Sequence, residues 1–318
     1  MYVEGRARHP NAYGQAAAAI AAALFGTAYV GTAFAIRSFT PLGAAMWRGF
    51  LASAILALGW ALMGGRLHRS EVNWPRLWRV VILGLTGGLG FVASMNLAVS
   101  MAGATLAAFA ASLSPVLAAL LAPLVLGESL TLVSVAGFAV AIVGTAILSG
   151  TNPADVGPGV LFGLCASLCF GVFLLLSRRW SRPFRLSGTA IALSIAGTTA
   201  LGLLPVELVF EPAKLIPQDV RLDAVAGLLW LALVPGVIAQ LFVVASVRRV
   251  ETRSSAAMLL ISPVTAAVVA AVMLGETMGA WEIAGAGLIM VGVVGAALLE
   301  HPSGETGVGG RLRRLRRT

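Results

Sequence analysis

Two side-chain amides, Asn96 and Gln240, fall inside long apolar segments, where an amide finds no water and needs either a neighbouring helix or a bound polar solute. Pro115 and Pro263 lie near the middle of two further apolar segments. Each proline removes one backbone donor and frees the carbonyl four residues earlier, at Ala111 and Leu259. Freed carbonyls at mid-depth suit an ammonium group, although Ser114 and Ser262 stand beside the prolines and can tie off a simple kink. Arg48 is the one formal charge inside an apolar segment, and it is open to structural pairing or to contact with a substrate anion. Tyr29, Phe173 and Met258 can either wall such a cavity or pack the core.

These groups bind; they do not assemble a catalytic set. His9, His68 and His301 fall in ends or loops, no metal-ligand cluster appears, and no serine, histidine and aspartate meet at one site, so neither a metal nor a cofactor is expected. The string at residues 84–90, GLTGGLG, lacks the lysine of a phosphate-binding loop and lies within an apolar run. A membrane-embedded enzyme is the alternative of a different class, and substrate-dependent flux without product separates the two.

The composition dictates what positions these groups. The chain is 58% hydrophobic and 11% charged, with mean hydropathy +0.93, whereas a soluble domain carries roughly 25% charged residues. Apolar runs near the ~20 residues that cross a bilayer predict spans at 15–36, 41–63, 80–100, 104–126 and 130–149, then 158–177, 187–207, 223–246, 254–274 and 279–299. The acids are expected in the ends and connections. Of the 22 basic residues, only Arg37, Lys214, Arg221 and the in-span Arg48 escape the cytoplasmic side when both termini are cytoplasmic. The net charge of +9 therefore reports topology and not nucleic-acid binding. The basic tail RLRRLRRT suits acidic lipid headgroups or serves as an orientation signal. Cys165 and Cys169, four apart on one helix face, read as packing residues.

Sliding the sequence by 148 residues lays Ser114-Pro115-Val116 on Ser262-Pro263-Val264, Leu126-Gly127-Glu128 on Leu274-Gly275-Glu276, and Gly137 and Gly144 on Gly285 and Gly292. The same offset sets Gly88 on Gly236, beside Pro235, as matching hinge candidates in the third and eighth spans. The expected organisation is a cytoplasmic N-terminus (1–14), a five-span repeat (15–149), a periplasmic linker (150–157), a second repeat of opposite orientation (158–299) and a basic cytoplasmic tail (300–318). Inverted repeats of this kind are a plan of secondary transporters, with the substrate between the halves near mid-depth. The expected site draws on the third, fourth, eighth and ninth spans.

Units that each carry Ser-Pro-Val, a Leu-Gly-Glu turn and a glycine-rich last span resemble the paired EamA domains of the drug/metabolite transporter superfamily. Met46-Trp47-Arg48-Gly49-Phe50 is similar to that family's Arg-Phe signature at its second helix. The resemblance implies an all-α polytopic membrane fold of ten helices and a small-molecule substrate, most simply an amino acid exported as by YddG-like exporters. Organophosphate, sugar or drug efflux is the alternative within the superfamily.

Overall fold

The computed structural model describes residues 12–62, 74–127, 132–148, 157–180, 188–240, 242 and 261–299. Regular structure among them is helical throughout: α1 (Ala12–Ala35), α2 (Pro41–Leu62), α3 (Trp74–Gly84), α4 (Phe91–Ala111), α5 (Ser114–Leu126), α6 (Leu132–Leu148), α7 (Pro158–Trp180), α8 (Gly188–Phe210), α9 (Leu222–Leu233), α10 (Ile261–Leu274) and α11 (Ala280–Leu299). Helices close every backbone hydrogen bond within one segment, which lipid requires. Five stretches are long and apolar enough to cross a bilayer, namely Ala16–Ala35, Pro41–Leu62, Trp74–Ala111, Pro158–Trp180 and Gly188–Phe210, and five shorter apolar helices accompany them.

The 38-residue stretch Trp74–Ala111 holds the expected third span and the start of the fourth. It is broken at Gly103 (φ 82, ψ 170), a conformation that favours glycine. The chain reverses there. Before the break, Ser94 donates to Cys165 and a Cβ on Gly90 would meet Cys169, so α4 rises as α7 falls. After it, Gly163 meets Ala110 and Gly171 meets the Ser114 carbonyl, so the two chains run together. The fourth span is itself divided at Ser112–Leu113, which puts Pro115 in the first turn of α5, where its missing N–H costs no helical bond. The third span begins at Trp74 and not near residue 80.

Close helix contacts recur in pairs. A Cβ on Gly26 would strike the Ser262 carbonyl, and one on Gly171 would lie 2.9 Å from the carbonyl of Ser114, the residue 148 before Ser262. In α6 and α11, a Cβ on Gly144 would lie 2.7 Å from the Gly285 carbonyl, and one on Gly292 would lie 2.5 Å from the Gly137 carbonyl. The partner number falls as the residue number rises, so these two helices run antiparallel. Glycine lets the backbones approach where lipid provides no hydrophobic drive. Gly292→Val is therefore expected to lower unfolding free energy by about 1–3 kcal/mol in detergent denaturation, the usual cost of overpacking. Gly287→Val, where an added Cβ meets nothing within 4 Å, serves as control; equal effects of the two would refute the packing account.

At one end of the bundle Asp223 accepts from Arg37 at 2.6 Å and from Arg221 at 3.1 Å, tying α1 to the start of α9. This is called the Arg37 end below. The Trp47 indole N–H donates to the Leu215 carbonyl there (2.9 Å). At the other end Trp78 and Trp180 meet edge to face at 5.2 Å, with the Arg79 guanidinium 4.2 Å from the Trp78 ring centre.

Candidate functional site

Two π-helical stretches interrupt the bundle: Leu85–Gly90 joins α3 to α4, and Val234–Ile238 follows α9. Gly88 lies in the first, Pro235 and Gly236 in the second, so the 148-residue pairing of the sequence reappears as matched helix irregularities. Pro235 cannot donate a backbone bond, and a Cβ on Gly88 would strike the Ile195 carbonyl of α8. Local widening to π geometry is common at functional positions.

A cavity of about 30 Å³ lies against the second π stretch. Ala45, Arg48, Gly49 and Ala52 of α2, Val92 of α4, Ala192, Ile195, Ala196 and Thr199 of α8, and Pro235, Gly236 and Gln240 line it. That is room for about one water. Its walls come from the second, third, seventh and eighth spans, whereas the sequence pointed to the third, fourth, eighth and ninth. Arg48 Nη1 is buried without a hydrogen-bond partner. The Thr199 hydroxyl donates to the Ile195 carbonyl at 2.7 Å, leaving its oxygen lone pairs as acceptors.

The other sequence-derived residues are placed as follows. Asn96 is fully buried away from the cavity: its amide donates to the Pro41 carbonyl (2.9 Å) and its oxygen accepts from Thr32 (3.3 Å), linking α1, α2 and α4. Asn96 is spent on Pro41 and Thr32, while Gln240 lines the cavity. The Ala111 carbonyl is taken by the hydroxyls of Ser114 and, at 3.0 Å, Ser167, so it faces two donors of the protein. Ser262 meets Gly26, and Pro263 is fully buried in the first turn of α10. Tyr29 is in the main core cluster, within electrostatic reach of Arg48. Phe173 stacks on Phe170 at 5.4 Å and covers Gly87 in the first π stretch. Met258 and Leu259 lie outside the described residues, as does Glu128.

Two acids at helix ends or connections have partners far away in sequence. Glu207, expected at a helix end, is 3% exposed between α8 and α2. Its Oε1 accepts from Thr40, which in turn accepts from the Gly43 N–H and so caps α2. The carboxylate thus stands at the positive end of α2. Glu276 follows Gly275, whose φ of +70 matches that of Gly127 in the other repeat. Glu276 accepts from the Ala104 N–H (2.9 Å), the Thr105 N–H (3.0 Å) and the Thr105 hydroxyl (2.6 Å), and so caps the helical turn that starts after Gly103. The clamps of Glu207 and Glu276 were missed because their partners lie far away in sequence, and Thr199 carries no local signal that places it at the cavity.

The comparisons with known proteins agree with this architecture. The chain belongs to the EamA-like transporter family, which it matches over residues 12–150 and 157–298. It is 31% identical over 218 residues to protein PecM of Dickeya dadantii (strain 3937), covering 67% of this chain and 68% of that one. An uncharacterized transporter of Archaeoglobus fulgidus is 21% identical over 280 residues, covering 86% and 95% respectively. Among solved structures, a crystal structure 21% identical superposes with TM-score 0.63 over 90% of this chain and 96% of that one, which shows the shared fold. The chain is therefore an all-α polytopic membrane protein of a transporter family, and a small molecule is what such a protein handles.

Proposed function

We propose that this protein is a secondary transporter that moves small metabolites by alternating access, exporting amino acids, aromatic or other neutral ones, across an inner membrane in the manner of the YddG-like exporters. The observation that carries the mechanism is the pair of π-helical stretches 148 residues apart, the second lining an interior cavity and the first packed against residues of α8 that line it. Gly236 lines that cavity directly, and Gly88 packs on Ile195 and against Thr199, which line it from the other side. Two equivalent weak points flanking a central site let either half rock while the other holds. Gln240 and Thr199 supply neutral hydrogen-bonding groups that replace part of a polar solute's hydration. The test is uptake into proteoliposomes across amino acids, sugars and organic cations; flux without chemical change supports the carrier, and a modified product supports an enzyme.

The orientation is part of the proposal: the Arg37 end faces the periplasm and both termini the cytoplasm. A cysteine placed at Gln218 should react with an impermeant maleimide added to intact cells, and one placed at Trp74 should react only after the membrane is opened. The reverse pattern refutes the orientation.

A further inference from the structure

The cavity carries one charge that its own walls do not answer. Arg48 lies seven residues past Pro41, about 10 Å along α2, and its Nη1 is buried, so the side chain has not snorkelled its whole head to the membrane surface. Among the described residues no carboxylate lies within ion-pair distance of Arg48; the ion pairs found there are Arg37 with Asp223, Lys214 with Glu211 and Arg221 with Asp223, all at the Arg37 end. Glu207, the buried acid, spends Oε1 on Thr40 at the start of α2, and its Oε2 is buried without a hydrogen-bond partner. A buried cation without a counter-charge is among the more destabilising features a helix bundle can hold, so it persists where something else neutralises it in use.

The fold of a repeat does not require this arginine. At the 148-residue offset Arg48 falls on Ala196, which lines the same cavity from α8. The equivalent span of the second unit therefore passes the same place with a methyl group. What the cavity adds around the guanidinium is neutral: the lone pairs of Thr199, whose proton is committed to Ile195, and the amide of Gln240.

We propose that Arg48 is the anchor for a carboxylate of the substrate, so that the transported class is small monocarboxylates, zwitterionic amino acids included; this rests on the transport reading above. A single guanidinium matches a planar monoanion through two parallel N–H···O bonds. A phosphate dianion calls for more than one cation, and the lining holds one. For a zwitterion, the Thr199 oxygen and the Gln240 carbonyl are acceptors for the ammonium group. The contracted 30 Å³ cavity is the closed form of this site, and admission of a carboxylate requires the π-helical walls to part.

The experiment pairs each amino acid with its C-terminal amide in proteoliposomes of the full chain, because the amide removes the anion and keeps the side chain and the amine. Wild type is expected to move acids at least 10-fold faster than their amides. Arg48→Gln, checked as monodisperse and membrane-inserted, is expected to reduce acid flux about 10-fold or more and bring the acid-to-amide ratio near one. Arg48→Lys should fall between. Acid flux at the wild-type rate in Arg48→Gln, or a wild type that accepts amides as readily as acids, overturns the assignment. If Arg48→Gln fails to fold, the wild-type ratio alone decides. Flux of sugars or organic cations without any of carboxylates defeats the Arg48 inference while leaving the transporter standing, whereas no flux of any solute class defeats the transport reading itself.

Discussion

Replacing Glu276 with alanine is expected to lower the unfolding free energy by about 2–4 kcal/mol, because it strips three hydrogen bonds from one helix start and leaves two backbone donors unsatisfied. Ala104 is fully buried and Thr105 is 8% exposed, so water cannot replace the lost acceptor freely. The carboxylate also opposes the positive end of the turn that begins after Gly103. Glu276→Gln retains one carbonyl acceptor and loses the charge, so about half of the effect should remain. Chemical denaturation in detergent micelles reads both variants. An alanine variant within about 0.5 kcal/mol of wild type would show that the clamp contributes nothing to stability, the typical range of an uninvolved surface change.

Gly88→Ala is expected to reduce transport about 10-fold or more per folded molecule. The added methyl group would be forced against the Ile195 carbonyl, a backbone atom, and would lie 2.9 Å from the hydroxyls of Thr198 and Thr199. Backbone cannot swing aside as a side chain can, so the first π stretch and α8 must separate or lock. Both consequences act on the wall of the cavity, since Ile195 and Thr199 line it. The control is Gly197→Ala on the facing helix α8, where an added Cβ meets nothing within 4 Å. Monodisperse, membrane-inserted Gly88→Ala protein with full flux would remove the close approach from the mechanism.

The sequence carried the helices and the duplication clearly, because lipid imposes long apolar runs and a repeat imposes an offset, and both survive as text. Gly88 and Pro235-Gly236 were legible because glycine loosens a helix and proline removes a backbone donor, and the structure has π geometry at both. Depth was less legible. Asn96 and Gln240 looked like neighbours because each sits inside a span, yet Asn96 is spent on Pro41 and Thr32 while Gln240 lines the cavity. The occupation of the Ala111 carbonyl by Ser167 joins residues 56 apart, and the Glu276 clamp joins residues 171 and 172 apart. No local pattern encodes such pairs. Arg48 stood out as a charge in an apolar run, but its neighbours Ala196 and Thr199 on α8 are ordinary small residues whose place is set only by the antiparallel crossing at Gly49.

The central claim is that one interior site serves both sides of the membrane in turn. Counterflow tests it most directly: proteoliposomes preloaded with an unlabelled neutral amino acid are diluted into a trace of the labelled form. The account predicts a transient accumulation of label above its equilibrium level, dependent on the preload and lost in Gly88→Ala. Label that merely equilibrates at the same rate with and without preload, for every solute the protein conducts, would describe a channel and contradict alternating access.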